Sequence, residues 1–440
     1  MTKSASMRIM LVAGLCAASA LMAVTPGNLS AAELSGFLQA RGTMLYLDGK
    51  PFYEISFNKI DLFWQMLAAE LGRGGFGKDP AESAEQALKE LHGLGFKTIR
   101  IASNAQDYAV EATRPRFLAA LDRTLDLCDR YDLRVVLCLG SFDVSFAKAC
   151  NESYTELLTR EDSNSRKLSR SYVRELVSRY RDRKTIGMWE HGNELLLKAG
   201  IGGRTHTWGD LKVPTLDEVA LFHTQEAAYI RSLDARHPIT SGDSYRNCIW
   251  SLYESDQGKA GDGWAVNTME EIGRGVARAQ KGVDVFCIHS YFKNIRYGFH
   301  EVKKPDGSLS GVNLADWTRI AHAQGQPLYI GEFGVLPIAR TEKTRKFWEE
   351  NPEWFDSYEG ADREKAVKLV RVALEQLVAA KPNLAHWWCY QSNRNHENNN
   401  PQRFDIDVDR TPELVRLVVE ANRALQMKTM GFTYMKSPKK

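Results

Sequence analysis

Eight short apolar runs, each followed by a longer stretch of helical periodicity, constrain this chain more than any other feature. The runs are PFYEISFN (51–58), KTIRIAS (97–103), LRVVLCLG (133–140), IGMWEHGN (186–193), HPITSGD (237–243), VDVFCIHSY (283–291), PLYIGEFG (327–334) and AHWWCYQ (385–391). Between them, AESAEQALKELHGLG, RPRFLAALDRTLDLCDRYD, TLDEVALFHTQEAAYIRSLD and REKAVKLVRVALEQLVAAK place Leu and Ala three and four residues apart, as amphipathic helices require. Most of the runs are near-continuously apolar rather than alternating, which fits parallel strands buried on both faces. Eight such strands alternating with helices predict an α/β chain folded as a (β/α)8 TIM barrel. A doubly wound open sheet is the other solution, but no G-x-G-x-x-G follows the first run. The segments 141–167 and 242–282 read as extended βα loops that shape the rim. No internal repeat, low-complexity linker or shift of composition divides the chain, so a single domain is expected over residues 33–440.

A chain of 440 residues suits one large barrel, and 43% hydrophobic residues suffice for its core. The formal charge of +3 gives no basic surface for nucleic acid. The basic stretch SRKLSRSYVRELVSRYRDRK reads as the solvated face of a helix. At the N-terminus, Lys3 and Arg8 precede an apolar run from Ile9 to Val24, and the small residues before Glu33 offer a cleavage site near Ala32. Residues 1–32 therefore read as a secretory signal peptide, with export to the periplasm or the extracellular space, and an uncleaved anchor as the alternative. No later segment is apolar enough to span a bilayer, so no membrane association is expected after cleavage. Of the seven cysteines, Cys138, Cys287 and Cys389 lie in apolar runs and read as core residues. Cys150 and Cys248 are the one pair worth testing as a disulfide. Neither C-x-x-C nor histidine-rich spacing appears, so no metal or other cofactor is expected. A monomer is expected.

In a parallel barrel, polar residues at the C-terminal strand ends build the active site. Those ends supply Arg100 on the second strand, Asn193 and Glu194 on the fourth, His289 and Tyr291 on the sixth, Glu332 on the seventh, and Trp387 or Trp388 on the eighth. Two carboxylates on different strand ends are the minimum for glycoside hydrolysis: one protonates the leaving oxygen, the other attacks the sugar or activates water. Convergence of Arg100 and Tyr291 on Glu332 would hold it ionised, as a nucleophile must be. The apolar setting of Glu194, after Trp189, would raise it toward a general acid. Asn193 could hydrogen-bond a sugar hydroxyl, and a tryptophan offers a flat face to the ring. Two-residue alternation favours Trp388, grouping it with Tyr390 and Ser392. The glycines around Glu332 would let a ligand approach closely. Glu190 shares a face with Glu194 but lies earlier in the strand, and reads as a buried, paired structural carboxylate. Trp64, Trp208, Trp250, Trp264 and Trp354 fall in expected loops, as sugar platforms or outer packing, and the Asn-rich 393–400 reads as a polar loop beside the cleft.

TIRIA, MWEHGNE, IHSY, YIGEFG and the aromatic eighth strand, in that order, resemble glycoside hydrolase clan A, and most closely family 5, the cellulase and β-mannanase family. The opening LDGKPFYEISFN is similar as well, and the resemblance runs from about residue 45 to 425. It implies a retaining β-glycoside hydrolase acting on β-mannan or β-glucan by double displacement. Glu194 would be the acid/base and Glu332 the nucleophile, with carboxyl groups about 5–5.5 Å apart. Arg100 and Tyr291 would hold Glu332, Asn193 the sugar 2-hydroxyl, and His289 would line the innermost subsite. Leu195 replaces a common proline, His191 an aliphatic residue, and the third strand ends in GSFD without a histidine, Asp143 being nearby. A catalytically silent carbohydrate-binding barrel, or a transglycosylase using the same residues, remains the alternative.

Overall fold

The computed structural model describes residues 34–74, 76, 79–103, 105–140, 145–199, 214–245, 267–292, 299, 301–304, 306–335, 363–391 and 405–429. Eight parallel strands lie at its centre: β1 (Glu54–Asn58), β2 (Thr98–Ala102), β3 (Arg134–Cys138), β4 (Ile186–Glu190), β5 (Ile239–Thr240), β6 (Phe286–His289), β7 (Leu328–Phe333) and β8 (Leu384–Trp387). They pair in the order β5-β4-β3-β2-β1-β8-β7-β6. A parallel bridge from Thr240 to Val285 joins the two ends, so the sheet closes into the (β/α)8 TIM barrel that the alternation predicts.

Strand alternation sorts side chains between two environments. Ile99, Ile101, Val135 and Leu137 join the apolar layer shared with the surrounding helices. Their neighbours Thr98, Arg100, Val136 and Cys138 are equally buried but do not join that layer, so they line the barrel interior. At its N-terminal end the interior is filled by Val136, Met188, Val285, Cys287, Tyr329 and Leu384 against Leu38, Leu45 and Phe52. The last three come from a small antiparallel sheet, Leu38–Arg41, Met44–Leu47 and Lys50–Pro51, and the residue following it. That sheet was not expected, because its strands are too short for periodicity to register. Its turn dipeptide Asp48-Gly49 has φ of 51° and 73°, the hairpin geometry that D-G sequences favour, so a signal was present.

Several loops are more ordered than their sequence suggested. The segment 141–167 contains helices Ser145–Ala149 and Tyr154–Thr159. The second of these starts at a Ser153/Glu156 capping box, a device too local for a periodicity search to weigh. The segment 242–282 likewise contains helix Met269–Ala279, started by Thr268 and Glu271. Trp64 lies on helix Leu62–Leu71, not in a loop. On the basic helix Asn164–Tyr180, Arg166 is buried rather than solvated, paired with Glu226 at 2.9 Å and stacked over Phe222. Cys138, Cys287 and Cys389 are buried, and Cys150 is a free thiol at the end of a short helix. Its candidate partner Cys248, the signal segment, Asp143, residues 393–400 and Trp208, Trp250, Trp264 and Trp354 lie outside the described residues. Among the described residues no helix is long and apolar enough to cross a membrane.

A polar chain crosses the barrel floor. The Thr98 hydroxyl bonds Glu54 Oε2 at 2.5 Å and His386 Nε2 at 3.0 Å, and Tyr329 meets His386 Nδ1 at 2.9 Å. Burial pushes the Glu54 carboxyl up to about 7, only partly offset by the Thr98 hydroxyl and the Lys97 N–H. The folded state thus holds a proton that the unfolded chain releases near the ordinary 4.5. The stability this adds is fully present below that value and is lost as pH rises through about 7. Glu54→Gln keeps an acceptor for the Lys97 amide and a donor for Thr98, and is expected to escape the decline. Its unfolding free energy should gain on the parent's through this window, reaching about 3 kcal/mol and then levelling. Parallel curves of unfolding free energy against pH for the two proteins would contradict this.

Candidate active site

Arg100 organises the C-terminal end of the barrel. Its side chain points inward from β2 and is fully buried, so its charge and its donors must be met by the protein. Nε and Nη2 donate to the Glu190 carboxylate at 2.6–3.1 Å, a bidentate pair. Nη1 reaches Glu332 Oε1 at 2.7 Å and Asn58 Oδ1 at 3.0 Å, while Nη2 reaches Asn193 Oδ1 at 2.5 Å. One guanidinium therefore ties together β1, β4, β7 and the turn after β4. Glu190 is the buried, paired carboxylate that its place in the strand implied.

Glu332 turns into the site at an irregularity in β7, where the register shifts against both neighbours. Its second oxygen accepts from the Tyr291 hydroxyl at 2.5 Å. A Cβ at Gly331 would lie 2.7 Å from His289 Nε2, so this glycine makes room for the histidine. That corrects the sequence reading, in which the glycine made room for a ligand: the close approach is internal. Glu194 sits just after β4 at φ 52°, a left-handed conformation costing of order 1–3 kcal/mol in a non-glycine residue. Its amide donates to Gly242 O at 2.9 Å, one of the contacts that hold it there.

His289 lies between the two carboxyl groups, with Nδ1 at 3.1 Å from Glu194 Oε1 and 3.6 Å from Glu332 Oε1. Ligand oxygens of Glu194 and Glu332 and a His289 ring nitrogen all fall within 4.8 Å of one another. The environments of the two acids differ in sign. Burial pushes Glu332 up, but His289, Arg100 and Tyr291 more than offset this and hold its carboxyl below the ordinary range. Burial also pushes Glu194 up; the His289 hydrogen bond opposes this, and the Glu332 and Asp243 charges reinforce it, leaving it raised. The charged form is favoured at one acid and the protonated form at the other, the division of labour that acid/base chemistry with a nucleophile requires.

The structure brings Arg100, Asn193, Glu194, His289, Tyr291 and Glu332 into one hydrogen-bonded cluster. Asn193 enters this cluster through its Oδ1, which accepts from Arg100. Trp388 stands at the edge of the cluster's end of the barrel, half-buried with Trp64 against Ile60, Ala102 and Cys138. Trp387 is fully buried against Phe333. Tyr390 does not share the surroundings of Trp388: it is buried against Phe57, with its hydroxyl on Glu90. β8 ends at Trp387, so alternation does not carry past it.

Sequence reasoning missed Asn58, which accepts from Arg100 and donates to the Gly331, His386 and Trp387 carbonyls at 3.0–3.4 Å. Its position at the C-terminal end of β1 is the signal that could have found it. It also missed Asp243, at the end of the fifth run. Glu194, His289 and Glu332 are the one group of three potential metal ligands among the described residues. Arg100 already lies against Glu332, and His289 is already bonded to Glu194, so these groups have partners within the protein.

Comparison with known proteins agrees with this fold. The family model described as Cellulase (glycosyl hydrolase family 5) matches residues 50–368. Mannan endo-1,4-beta-mannosidase 1 of Oryza sativa subsp. japonica is 26% identical over 346 residues, 68% of each chain. A probable mannan endo-1,4-beta-mannosidase F of Aspergillus flavus is 26% identical over 225 residues, 47% of this chain and 44% of that one. Among solved structures, an endo-1,4-beta-mannanase from Rhizomucor miehei superposes with a TM-score of 0.56 at 16% identity, covering 89% of this chain and 99% of that one.

Proposed function

Because the chain belongs to glycosyl hydrolase family 5, and is thus an O-glycosyl hydrolase, we propose that it cleaves β-1,4-linked mannan internally, with retention of configuration. The observation that carries this reading is the Glu194/Glu332 pair, with oxygens within 4.8 Å and opposite protonation preferences. A retaining pair lies about 5–5.5 Å apart, whereas an inverting pair needs about 6.5–9.5 Å to admit water. The substrate class rests on the relatives named as mannan endo-1,4-beta-mannosidases.

In the first step, the Glu332 carboxylate attacks the anomeric carbon as the glycosidic C–O bond breaks, and Glu194 gives its proton to the leaving oxygen. Arg100 and Tyr291 keep Glu332 ionised before attack. Asn193 holds the 2-hydroxyl of the sugar, and Trp388 stacks on its ring beside His289. In the second step Glu194, now a carboxylate, takes a proton from water, whose oxygen attacks the anomeric carbon and releases Glu332. We assign residues 33–440 to one catalytic domain and residues 1–32 to a signal peptide that exports it.

Incubation with a panel of β-mannans, β-glucans and aryl β-glycosides, with chromatography of the products, tests this reading. Internal cleavage of mannan to short manno-oligosaccharides is expected. Absence of turnover on every member of the panel would leave only the silent binding barrel.

A further inference from the structure

A buried chain of three titratable side chains lies directly behind the acid/base and takes no part in the steps above. His191 Nε2 meets His223 Nδ1 at 3.3 Å, and His223 Nε2 meets Asp243 Oδ2. His191 follows β4, His223 is on helix Leu216–Leu233, and Asp243 follows β5. All three are buried, at 8%, 0% and 0% exposure. The other Asp243 oxygen accepts the backbone N–H of Leu196 at 2.9 Å, two residues beyond Glu194. The Glu194 amide itself bonds the carbonyl of Gly242, next to Asp243. Gly242 has φ +70°, and a Cβ there would lie 2.2 Å from Gly192 O, so the two strand ends are in direct backbone contact.

We propose, resting on the acid/base assignment above, that Asp243, held by His223 and His191, is a positioning residue for Glu194. Two effects follow from its location. Its hydrogen bond to Leu196 braces the left-handed turn on which Glu194 is presented. Its charge disfavours a second negative charge at Glu194, so the acid keeps its proton to higher pH. Burial, together with His223 and Arg166, pushes His191 well below the ordinary histidine range, so it is neutral. Neutral His191 can donate from Nε2 to His223 Nδ1, which orients the ring with its Nε2 edge in contact with Asp243. The other groups facing Glu194 are His289 and Tyr291 from the end of β6 and Glu332 from β7, with Arg100 from β2 and Glu190 from β4 completing the cluster.

Asp243→Asn keeps an oxygen for the Leu196 amide and removes the charge. On mannan, the alkaline limb of its kcat/KM profile should move to lower pH, while the acid limb set by Glu332 stays in place. A substituent that only supports the fold would lower kcat at every pH and leave both limbs unmoved. His223→Gln keeps the Asp243 charge but loosens its hold, and should lower kcat by up to about 10²-fold with a smaller movement of the limb. The Glu194 carboxyl can also be titrated directly by carbon-13 NMR of glutamate-labelled protein, with Glu194→Gln for assignment. Its midpoint should fall in Asp243→Asn, and this reading does not depend on turnover. An unchanged alkaline limb and an unchanged midpoint would overturn the positioning role while leaving the hydrolase assignment intact. A wild-type protein without turnover would fail that assignment instead, and a moved midpoint would still place Asp243 behind Glu194.

Discussion

Glu332→Ala is expected to lower kcat on mannan by about 10⁴-fold or more, because no other group can form the glycosyl-enzyme bond. Loss of folding does not explain such a drop. Arg100 keeps Glu190, Asn58 and Asn193 as partners when Glu332 is gone, so its charge stays compensated. Circular dichroism and the thermal midpoint of the variant should stay near those of the parent. The cavity left by the carboxylate gives a sharper readout. Azide can occupy it and attack the anomeric carbon from the face that Glu332 uses. The glycosidic C–O bond then breaks as Glu194 protonates the leaving oxygen, and an α-glycosyl azide forms on an activated β-mannoside. Substantial hydrolysis by Glu332→Ala, or no azide product with a folded variant, would count against Glu332 as nucleophile.

Glu194→Ala should behave differently, and the difference separates the two roles. On mannan, whose leaving group needs a proton, kcat should fall by about 10²–10⁴-fold. On a dinitrophenyl β-glycoside, whose leaving group needs none, formation of the intermediate should proceed at nearly the parent rate. Its hydrolysis should stall, giving a burst of phenolate equal to the enzyme concentration. Azide should relieve the stall and yield the β-glycosyl azide. The variant should also lose the alkaline limb of the pH profile, since the raised Glu194 is the group that must be protonated. Equal losses on both substrates would contradict the acid/base role.

Much of the fold was legible because a buried parallel strand has few ways to be written. Runs such as LRVVLCLG and VDVFCIHSY announce themselves, and the barrel follows from their number and their alternation with helices. What escaped depends on local devices with no period. The capping boxes at Ser153 and Thr268 make short helices out of apparent loops, and the Asp48-Gly49 turn makes a barrel plug out of residues that carry no period. The site was legible in kind, since strand-end polar residues converge in a barrel. Its wiring was not. That Arg100 takes Glu190 and Glu332 at once, that Gly331 is small for the sake of His289, and that Asp243 stands behind Glu194 are contacts between residues far apart in sequence. Alternation also failed where a strand stopped, as Tyr390 shows.

The central claim is a double displacement at Glu332 assisted by Glu194, and the anomer first released tests it most directly. Proton NMR spectra recorded within the first minutes of mannan or mannotetraose hydrolysis, before mutarotation, should show the β-anomer of the new reducing end growing first. Early appearance of the α-anomer would mean inversion by a single displacement and would contradict the account.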